Sequence, residues 1–249
     1  MRLEEKLALV IPTLNEAECL PAMLERVLAV MAALPVAFEI LVVDDDSPDA
    51  TAAVVAAIAE REPRVRLLVR RGERGLAGAI LHGWQNTDAS LLGVMDADMQ
   101  HPPEVLRELV NAMEAGADVA LASRFAALGA GHRWRNPLRR LATAVSIWMA
   151  RPLQPAEFRV SDPLSGYFLV RRRCVAGVAF RQTGFKLLLE ILTRGRLRSV
   201  VEVPFEFGRR GGGRSKAGAR VAWDYVLLLC RLYQEKWKAM VGAPESSAE

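Results

Sequence analysis

Short apolar runs without strict alternation recur along the first half of the chain. They are LALVI (Leu7 to Ile11), FEILVV (Phe38 to Val43), VRLLV (Val65 to Val69), LLGVM (Leu91 to Met95) and DVALAS (Asp118 to Ser123). A strand buried on one face alternates polar and apolar residues. A run apolar throughout is buried on both faces, as in a parallel sheet covered by helical crossovers. The intervening stretches read as those crossovers, so roughly the first 120 residues predict a repeated strand–helix unit and a doubly wound α/β sheet. Asn15 and Glu18 have the spacing of a capping box, and Ser47-Pro48 and His101-Pro102-Pro103 place proline just inside a helix.

After Arg124 the pattern changes. FAALGAGHRWRNPLRR mixes glycine, proline and cations, which predicts a loop feeding a helix near Leu138 to Arg151. A strand around LSGYFLV, a helix near FKLLLEILTRG, a strand VVEVPFEF, a flexible RRGGGRSKAG loop and a final amphipathic helix VAWDYVLLLCRLYQEKWK follow. The expected organisation is one catalytic-sized unit over 1–217, a C-terminal amphipathic helix over 218–241 and a disordered tail over 242–249.

With 249 residues, 51% hydrophobic and 25% charged, the chain is neither fibrous, disordered nor a disulfide scaffold. A net charge of +4, with arginines concentrated in the second half, suits anionic partners: phosphates, lipid headgroups or nucleic acid. Cys19, Cys174 and Cys230 form no CxxC pair and read as buried thiols in a reducing compartment. Met1 to Lys6 lacks the apolar core of a signal peptide, which predicts a chain that is not secreted. LATAVSIWMA (Leu141 to Ala150) falls short of the roughly 20 apolar residues of a bilayer span, so no crossing is expected.

Three polar clusters follow predicted strands: PTLNE (Pro12 to Glu16), DDDSPD (Asp44 to Asp49) and DADMQ (Asp96 to Gln100). Ligands of such sheets sit beyond the carboxyl ends of strands, so the clusters should line one crevice. Residues two apart at an extended strand end point the same way, which lets Asp96 and Asp98 face one ligand while small Ala97 admits it to the backbone. Carboxylates and a Gln carbonyl are hard oxygen donors suited to Mg²⁺ or Mn²⁺. Asp98 or His101 as a helix cap, and DDDSPD as a solvated turn capped by Ser47, are the plainer alternatives. Neither GxGxxG after the first strand nor GxxxxGK[ST] occurs, which removes dinucleotide oxidoreductases and P-loop NTPases. His82, His101 and His132 show no ligand spacing and are expected to be structural.

The ordered set VIPTLNE, VVDDDSPDAT, GLAGAILHGW, MDADMQHPPE, ASRF, DPLSGYFLVRR, GFKLLLEIL and VEVPFEFGRRGGGRSK runs from about Leu7 to Lys216. It resembles the dolichol-phosphate mannose synthases and related polyprenyl-phosphate glycosyltransferases of family 2. The resemblance implies a GT-A fold: a mostly parallel sheet flanked by helices, with C-terminal amphipathic helices and no transmembrane span. It implies inverting transfer of a sugar, mannose from GDP-mannose foremost, to a dolichyl or undecaprenyl phosphate. A UDP-sugar donor such as UDP-glucose is the enzymatic alternative, and a catalytically silent nucleotide-sugar-binding membrane module is the alternative of another class.

By motif position the resemblance assigns Pro12, Leu14, Glu16, Val42 and Asp44 to the nucleoside. It assigns Asp96, Ala97, Asp98 and Gln100 to the diphosphate, with Asp98 and Gln100 on the metal. Arg124, Arg210 and Lys216 are assigned to donor phosphates, with Asp98, Arg124 and Arg210 catalytic. Arg139 and Thr143 are assigned to the acceptor phosphate. Leu14 stands where many mannose synthases carry Tyr, and Thr143 where Ser is frequent, which keeps the hydroxyl.

Elementary chemistry agrees with these roles. A diphosphate leaving group gathers negative charge that a divalent cation and arginine forks stabilise. The acceptor is a phosphate monoester with a second pKa of about 6, ionised enough to attack without a strong base. The surplus of cations over one diphosphate (Arg124, Arg139, Arg140, Arg209, Arg210, Arg214 and Lys216) suits division between donor and acceptor phosphates. Nucleic-acid binding would leave the acidic crevice unexplained.

A polyprenyl tail stays in a bilayer, so peripheral contact with a membrane, on its cytoplasmic face, is expected, with room for a small membrane-anchor subunit. The segment from Leu138 to Arg151, with Ile147, Trp148 and Met149, and the last helix, with Trp223, Tyr225, Leu227, Leu228, Leu229, Leu232, Tyr233 and Trp237, are candidate interfacial helices. Packing of both against the core is the alternative.

Overall fold

In a computed structural model of the chain, the residues described are 5–126, 137–180, 186–206, 208 and 219–241, apart from the side chains of 137–140 and 219–221. Strand β1 (Lys6–Thr13), helix α1 (Leu20–Ala32), β2 (Ala37–Asp44), α2 (Thr51–Ala59), β3 (Val65–Val69), α3 (Leu76–Gln85) and β4 (Leu91–Val94) form the expected alternating unit. A 3₁₀ turn (Pro103–Val105), α4 (Leu106–Glu114), β5 (Val119–Ser123), α5 (Pro137–Ala150), β6 (Phe168–Arg171), the short α6 (Arg172–Val175), α7 (Leu187–Arg194), β7 (Val200–Pro204) and α8 (Ala219–Val241) complete it.

The seven strands lie in one sheet in the order β3-β2-β1-β4-β6-β5-β7. All pairings are parallel except those of β6, which runs antiparallel to both β4 and β5. Strand periodicity divides the core between the faces. Leu7, Leu9 and Ile11 of β1 pack with Leu20, Met23, Leu24 and Val27 of α1 and Leu106, Leu109 and Val110 of α4. Ala8 and Val10 face the other way, onto Ala79, Ile80 and Trp84 of α3 and Leu187, Leu188 and Ile191 of α7. Burial on both faces explains why the strand runs lacked polar alternation.

Two consequences fix the position of the site. The chain winds outward through β1, β2 and β3 and then returns to place β4 on the opposite side of β1, so the strand order reverses between β1 and β4. The loops after those two strands diverge there and leave a crevice. Because β6 is antiparallel, its beginning rather than its end lies at this edge: Phe168 pairs with Val94 and Leu121, and Tyr167 O accepts from Ala122 N at 2.9 Å. The segment before β6 is thereby delivered to the carboxyl ends of the parallel strands.

Helices α5 and α8 lie together outside the two main layers. Ala150 and Leu153 at the end of α5, Leu229 and Leu232 of α8, Leu164 and Leu189 form a small separate core. The Tyr225 hydroxyl donates to Ser146 O at 2.6 Å, and that of Tyr233 to Met149 O at 2.7 Å.

Two expected caps are replaced. Helix α1 begins at Leu20 with Cys19 at the N-cap and no side-chain cap, because Asn15 adopts φ +58° within the loop. Helix α2 begins at Thr51, and Ser47 is bonded to Asp44 instead. Pro103 opens the 3₁₀ turn leading into α4, close to the position expected. The proposed boundary at 217/218 and the tail 242–249 fall outside the described residues.

Helix α3 lies close on the sheet at Gly83, where a Cβ would stand 2.7 and 2.9 Å from the two methyls of Val10. Gly83→Val is expected to lower the unfolding free energy by about 2 kcal/mol through overpacking, read as a lower urea midpoint. An unchanged midpoint would show that α3 does not approach β1 this closely.

Candidate active site

The loops after β1 and β2 are tied to each other. Thr13 Oγ1 donates to Asp44 Oδ1 at 3.0 Å, and Ser47 donates to the same carboxylate from its N–H at 2.9 Å and its hydroxyl at 2.6 Å. Asn15 N–H then donates to Ser47 Oγ at 2.8 Å, Glu16 N–H to Thr51 Oγ1 at 3.0 Å and Ala17 N–H to Asp49 Oδ2 at 3.3 Å. Every short polar residue of DDDSPDAT at Asp44, Ser47, Asp49 and Thr51 thus receives or relays a bond that sets the PTLNE loop. Asp45 turns the other way, accepting from Arg70 Nη1 and Gly75 N–H, each at 2.7 Å, and so anchors the loop after β3.

Among the described residues, the non-glycine residues with positive φ are Asn15 (58°), Asp46 (55°) and Met99 (62°). One lies after β1, one after β2 and one after β4. Asn and Asp tolerate this conformation, but Met does so at a cost, and such strain concentrates where a loop must present groups to a ligand.

At the β4 end, Asp96 and Asp98 are both half-buried while Ala97 between them is buried. Asp98 Oδ1 accepts from Gln100 N–H at 3.1 Å, so its carboxylate closes the local turn. Cys19 Sγ lies 3.4 Å from both Ala97 O and Glu16 Oε2, tying the β1 loop to the β4 loop. Burial and the neighbouring Glu16 push that thiol up to about 11, so it stays protonated. Behind the turn, His101 is packed between Tyr167 and Phe205 with ring centroids 5.3 and 5.6 Å away, and its Nδ1 is 3.8 Å from Asp96 Oδ2. Burial lowers its pKa to about 4, which keeps it neutral and fits a structural role.

The segment before β6 forms the opposite wall. Asp162, with no exposed surface, takes a two-pronged contact from Arg124: Nε to Oδ2 at 2.6 Å and Nη2 to Oδ1 at 2.7 Å. Glu202 of β7 holds the adjoining turn through Ser161 N–H at 2.8 Å and Ser161 Oγ at 2.7 Å. Ser165 Oγ donates to Ala122 O at 2.7 Å, and Tyr167 Oη to Pro102 O at 3.3 Å. Gly166 is required by contact: a Cβ there would come within 2.7 Å of Asp96 Oδ2. One short loop therefore touches the ends of β4 and β5 and the approach to α4.

The sequence-derived residues distribute as follows. Pro12, Val42 and Asp44 are buried. Val42 belongs to the core and Asp44 to the loop ties, so both shape the crevice floor and present no surface of their own. Leu14 and Glu16 are half-buried, as are Asp96, Asp98 and Gln100, and Cys19 links Glu16 to Ala97. Arg124 is brought to the site but arrives fastened to Asp162. Thr143 lines a separate cavity of about 350 Å³ with Phe125, Ile147, Trp148, Arg151 and Ser161. Arg210, Lys216 and the side chain of Arg139 lie outside the described residues. Gly208, two residues before Arg210 in the sequence, donates its N–H to Gln100 O of the DADMQ turn at 2.9 Å. Asp162 and Glu202 were missed by the sequence reading. The signal for Asp162 was an Asp-Pro pair ahead of a small-residue turn, with nothing to mark it as an arginine's partner.

Among the described residues no three His, Cys, Asp or Glu side chains converge as a metal-binding group. The pair Asp96 and Asp98 with Gln100 nevertheless fits a hard divalent ion, because such ions are commonly held by one or two carboxylates and completed by substrate phosphates and water.

The sequence profile of glycosyl transferase family 2 matches residues 8–178. A dolichol-phosphate mannosyltransferase of Pyrococcus furiosus is 38% identical over 236 residues, covering 95% of this chain and 65% of that protein. One from Saccharomyces cerevisiae is 36% identical, covering 81% and 76%. A polyprenol monophosphomannose synthase of Mycolicibacterium smegmatis is 35% identical, covering 87% and 82%. Among solved structures, mannosyl-3-phosphoglycerate synthase from Rubrobacter xylanophilus superposes with a TM-score of 0.70 at 20% identity, covering 93% of this chain and 75% of that one. Glucosyl-3-phosphoglycerate synthase from Mycobacterium tuberculosis, solved with Mn²⁺, UDP-glucose and phosphoglyceric acid, gives 0.69 at 18%, covering 92% and 80%. These two likenesses support the GT-A arrangement of the sheet.

The Arg124–Asp162 pair is the feature most exposed to test. Asp162→Asn leaves the half-buried guanidinium of Arg124 without its counter-charge and is expected to cost about 2 kcal/mol of stability, measured by chemical denaturation. A loss within about 0.5 kcal/mol, the size of an ordinary surface change, would show that the pair does not organise this wall.

Proposed function

The chain belongs to glycosyltransferase family 2, and from that premise we propose that it transfers a sugar from a nucleotide sugar to a polyprenyl phosphate, with mannose from GDP-mannose as the favoured donor. The observation that carries this reading is the Asp96-x-Asp98 pair with Gln100 at the reversal of strand order, faced across the crevice by the Arg124–Asp162 wall. Names of the relatives support the acceptor class and the mannosyl group. The Pyrococcus relative extends beyond this chain, so the activity is proposed for the residues in hand.

In the proposed reaction Leu14 and Glu16 would border the nucleoside, and Asp98 and Gln100 are the residues that would hold Mg²⁺ or Mn²⁺. When bound, the ion supplies Lewis-acid stabilisation of the departing diphosphate. Arg124 adds a planar cation whose orientation Asp162 has already fixed, so little reorganisation accompanies charge development. Arg210 and Lys216 are proposed to add further cations to the donor phosphates. The acceptor phosphate oxygen attacks the anomeric carbon as the diphosphate leaves on the opposite side, and a single displacement inverts that centre. No histidine is needed, which agrees with His101 being buried and neutral.

Arg139 and Thr143 on α5 are proposed to take the acceptor phosphate. Thr143 opens onto the 350 Å³ cavity whose lining joins Arg151 to Phe125, Ile147 and Trp148, a cation beside apolar surface as a phosphorylated lipid requires. The membrane would meet α5 and α8. Ile147, Met149, Tyr225, Leu228, Leu229 and Leu232 turn into the protein, whereas Leu141, Trp148, Trp223, Leu227, Trp237 and Met240 are exposed by 51 to 73%. Core packing and membrane contact thus occupy opposite faces of the same helices. No helix among the described residues is long and apolar enough to cross a membrane. A small anchor subunit would meet the same exposed stripe. Residues 1–217 are proposed as the catalytic unit, acting on the cytoplasmic face. Cys19 and Cys174 are buried free thiols as expected, whereas Cys230 is exposed on α8, contrary to the expectation of a buried thiol.

Labelled GDP-mannose, UDP-glucose and UDP-N-acetylglucosamine supplied with a polyprenyl phosphate are expected to rank GDP-mannose first, with activity abolished by chelator. Asp98→Ala should lower transfer at least about 100-fold, the scale of losing a main charge-stabilising group. UDP-glucose ranking first would move the donor to the second reading, which the UDP-glucose complex of a fold neighbour favours. No transfer from any donor would leave only the silent binding module. In flotation with anionic liposomes, Trp148→Gln with Trp237→Gln should release most of the bound protein; equal flotation would contradict the membrane face.

A further inference from the structure

The loop before β6 receives a further charge from a residue that no role assigned above uses. Lys186 stands at the N-cap position of α7, and its Nζ donates to Leu164 O at 3.2 Å. The residue as a whole is half-buried. Loss of hydration there lowers its pKa below the ordinary lysine range; Arg124 pushes the same way, and Asp96 and Asp162 oppose both. The ammonium is thus in electrostatic reach of the carboxylates of both crevice walls. Between those walls runs the loop it grips, with Asp162 fastened to Arg124 on one side of Leu164 and Gly166 pressed against Asp96 on the other.

A dehydrated cation is a costly way to hold one carbonyl. A methionine of similar length would fill the space without the dehydration cost, as when buried ionic groups are replaced by apolar ones of like volume. Residues that break the rules of stable packing in this manner concentrate at functional sites. We infer that Lys186 is a positioning residue of the crevice: its fixed charge holds Asp96, Asp162 and the Leu164 carbonyl in register and tempers the field that an incoming divalent ion meets. This rests on the metal-dependent reading above. Removing Lys186 would leave Asp96 and Asp162 less neutralised and so more attractive to a divalent ion.

The inference gives opposite signs for binding and turnover. In the full chain, Lys186→Met should tighten Mn²⁺ roughly 3- to 10-fold in an electron paramagnetic resonance titration without donor, the size of one partly screened charge interaction. Its melting temperature should be equal to or above that of the parent. At saturating donor and acceptor its transfer rate should fall at least about 10-fold with donor KM little changed, as expected when reacting groups lose alignment. Lys186→Arg, which keeps the charge, should bind Mn²⁺ like the parent. Unchanged Mn²⁺ affinity in Lys186→Met overturns the inference, and so does a loss of transfer matched by a fall in melting temperature, which would make Lys186 a structural pin. A parent protein that binds Mn²⁺ yet transfers no sugar contradicts the proposed function while the titration still decides Lys186; a parent that binds no Mn²⁺ overturns both.

Discussion

The crevice depends on the contact between Arg124 and Asp162. A carboxylate with no exposed surface needs a partner to be stable as an anion, and a guanidinium at a strand end needs a fixed acceptor to point anywhere in particular. Each supplies what the other lacks, and the bond joins the end of β5 to the loop before β6. From that loop the remaining ties follow. Ser165 returns to β5, Gly166 admits Asp96, Tyr167 reaches the approach to α4, and Leu164 packs its side chain beneath α5 and α8. The loop is delivered to this position because β6 runs against its neighbours.

The first half of the fold was legible in the sequence because two-sided burial leaves a strong mark. VRLLV coincides with β3, and the other four runs fall within a residue or so of β1, β2, β4 and β5. The helices near 138–151 and at the C-terminal end were also readable from period and composition. The direction of β6 was not, since LSGYFLV would read the same in a parallel strand; only its neighbours decide, and they are remote in the chain. The caps misled for a related reason. Asn15 and Ser47 are good helix starters by type, but in the folded loops the Ser47 hydroxyl accepts from Asn15 N–H across 32 residues.

The candidate site was legible where motif and strand end coincide. Asp98 and Gln100 share one turn at the end of β4, and Cys19 links that turn at Ala97 to Glu16 of the β1 loop. Asp44 illustrates the limit: its type suits a ribose hydroxyl, yet its oxygens are engaged by Thr13 and Ser47 and it has no exposed surface. Asp162 and Lys186 illustrate the converse, since their significance lies in partners that only the folded chain supplies. Helices α5 and α8 pack one face against the protein, as one of the two readings expected, and leave the other exposed. An amphipathic period with aromatic residues on two faces is ambiguous in sequence and resolves in the fold, where one face covers Leu164 and Leu189 and the other is exposed.

The account turns on a divalent ion shared between Asp98 and the donor's diphosphate. Pulsed electron–nuclear double resonance of Mn²⁺ bound to the protein with GDP-mannose addresses this directly. A phosphorus coupling is expected in the parent protein and should be lost in Asp98→Ala at matched Mn²⁺. A parent without that coupling, or a variant that keeps it unaltered, would contradict the assignment.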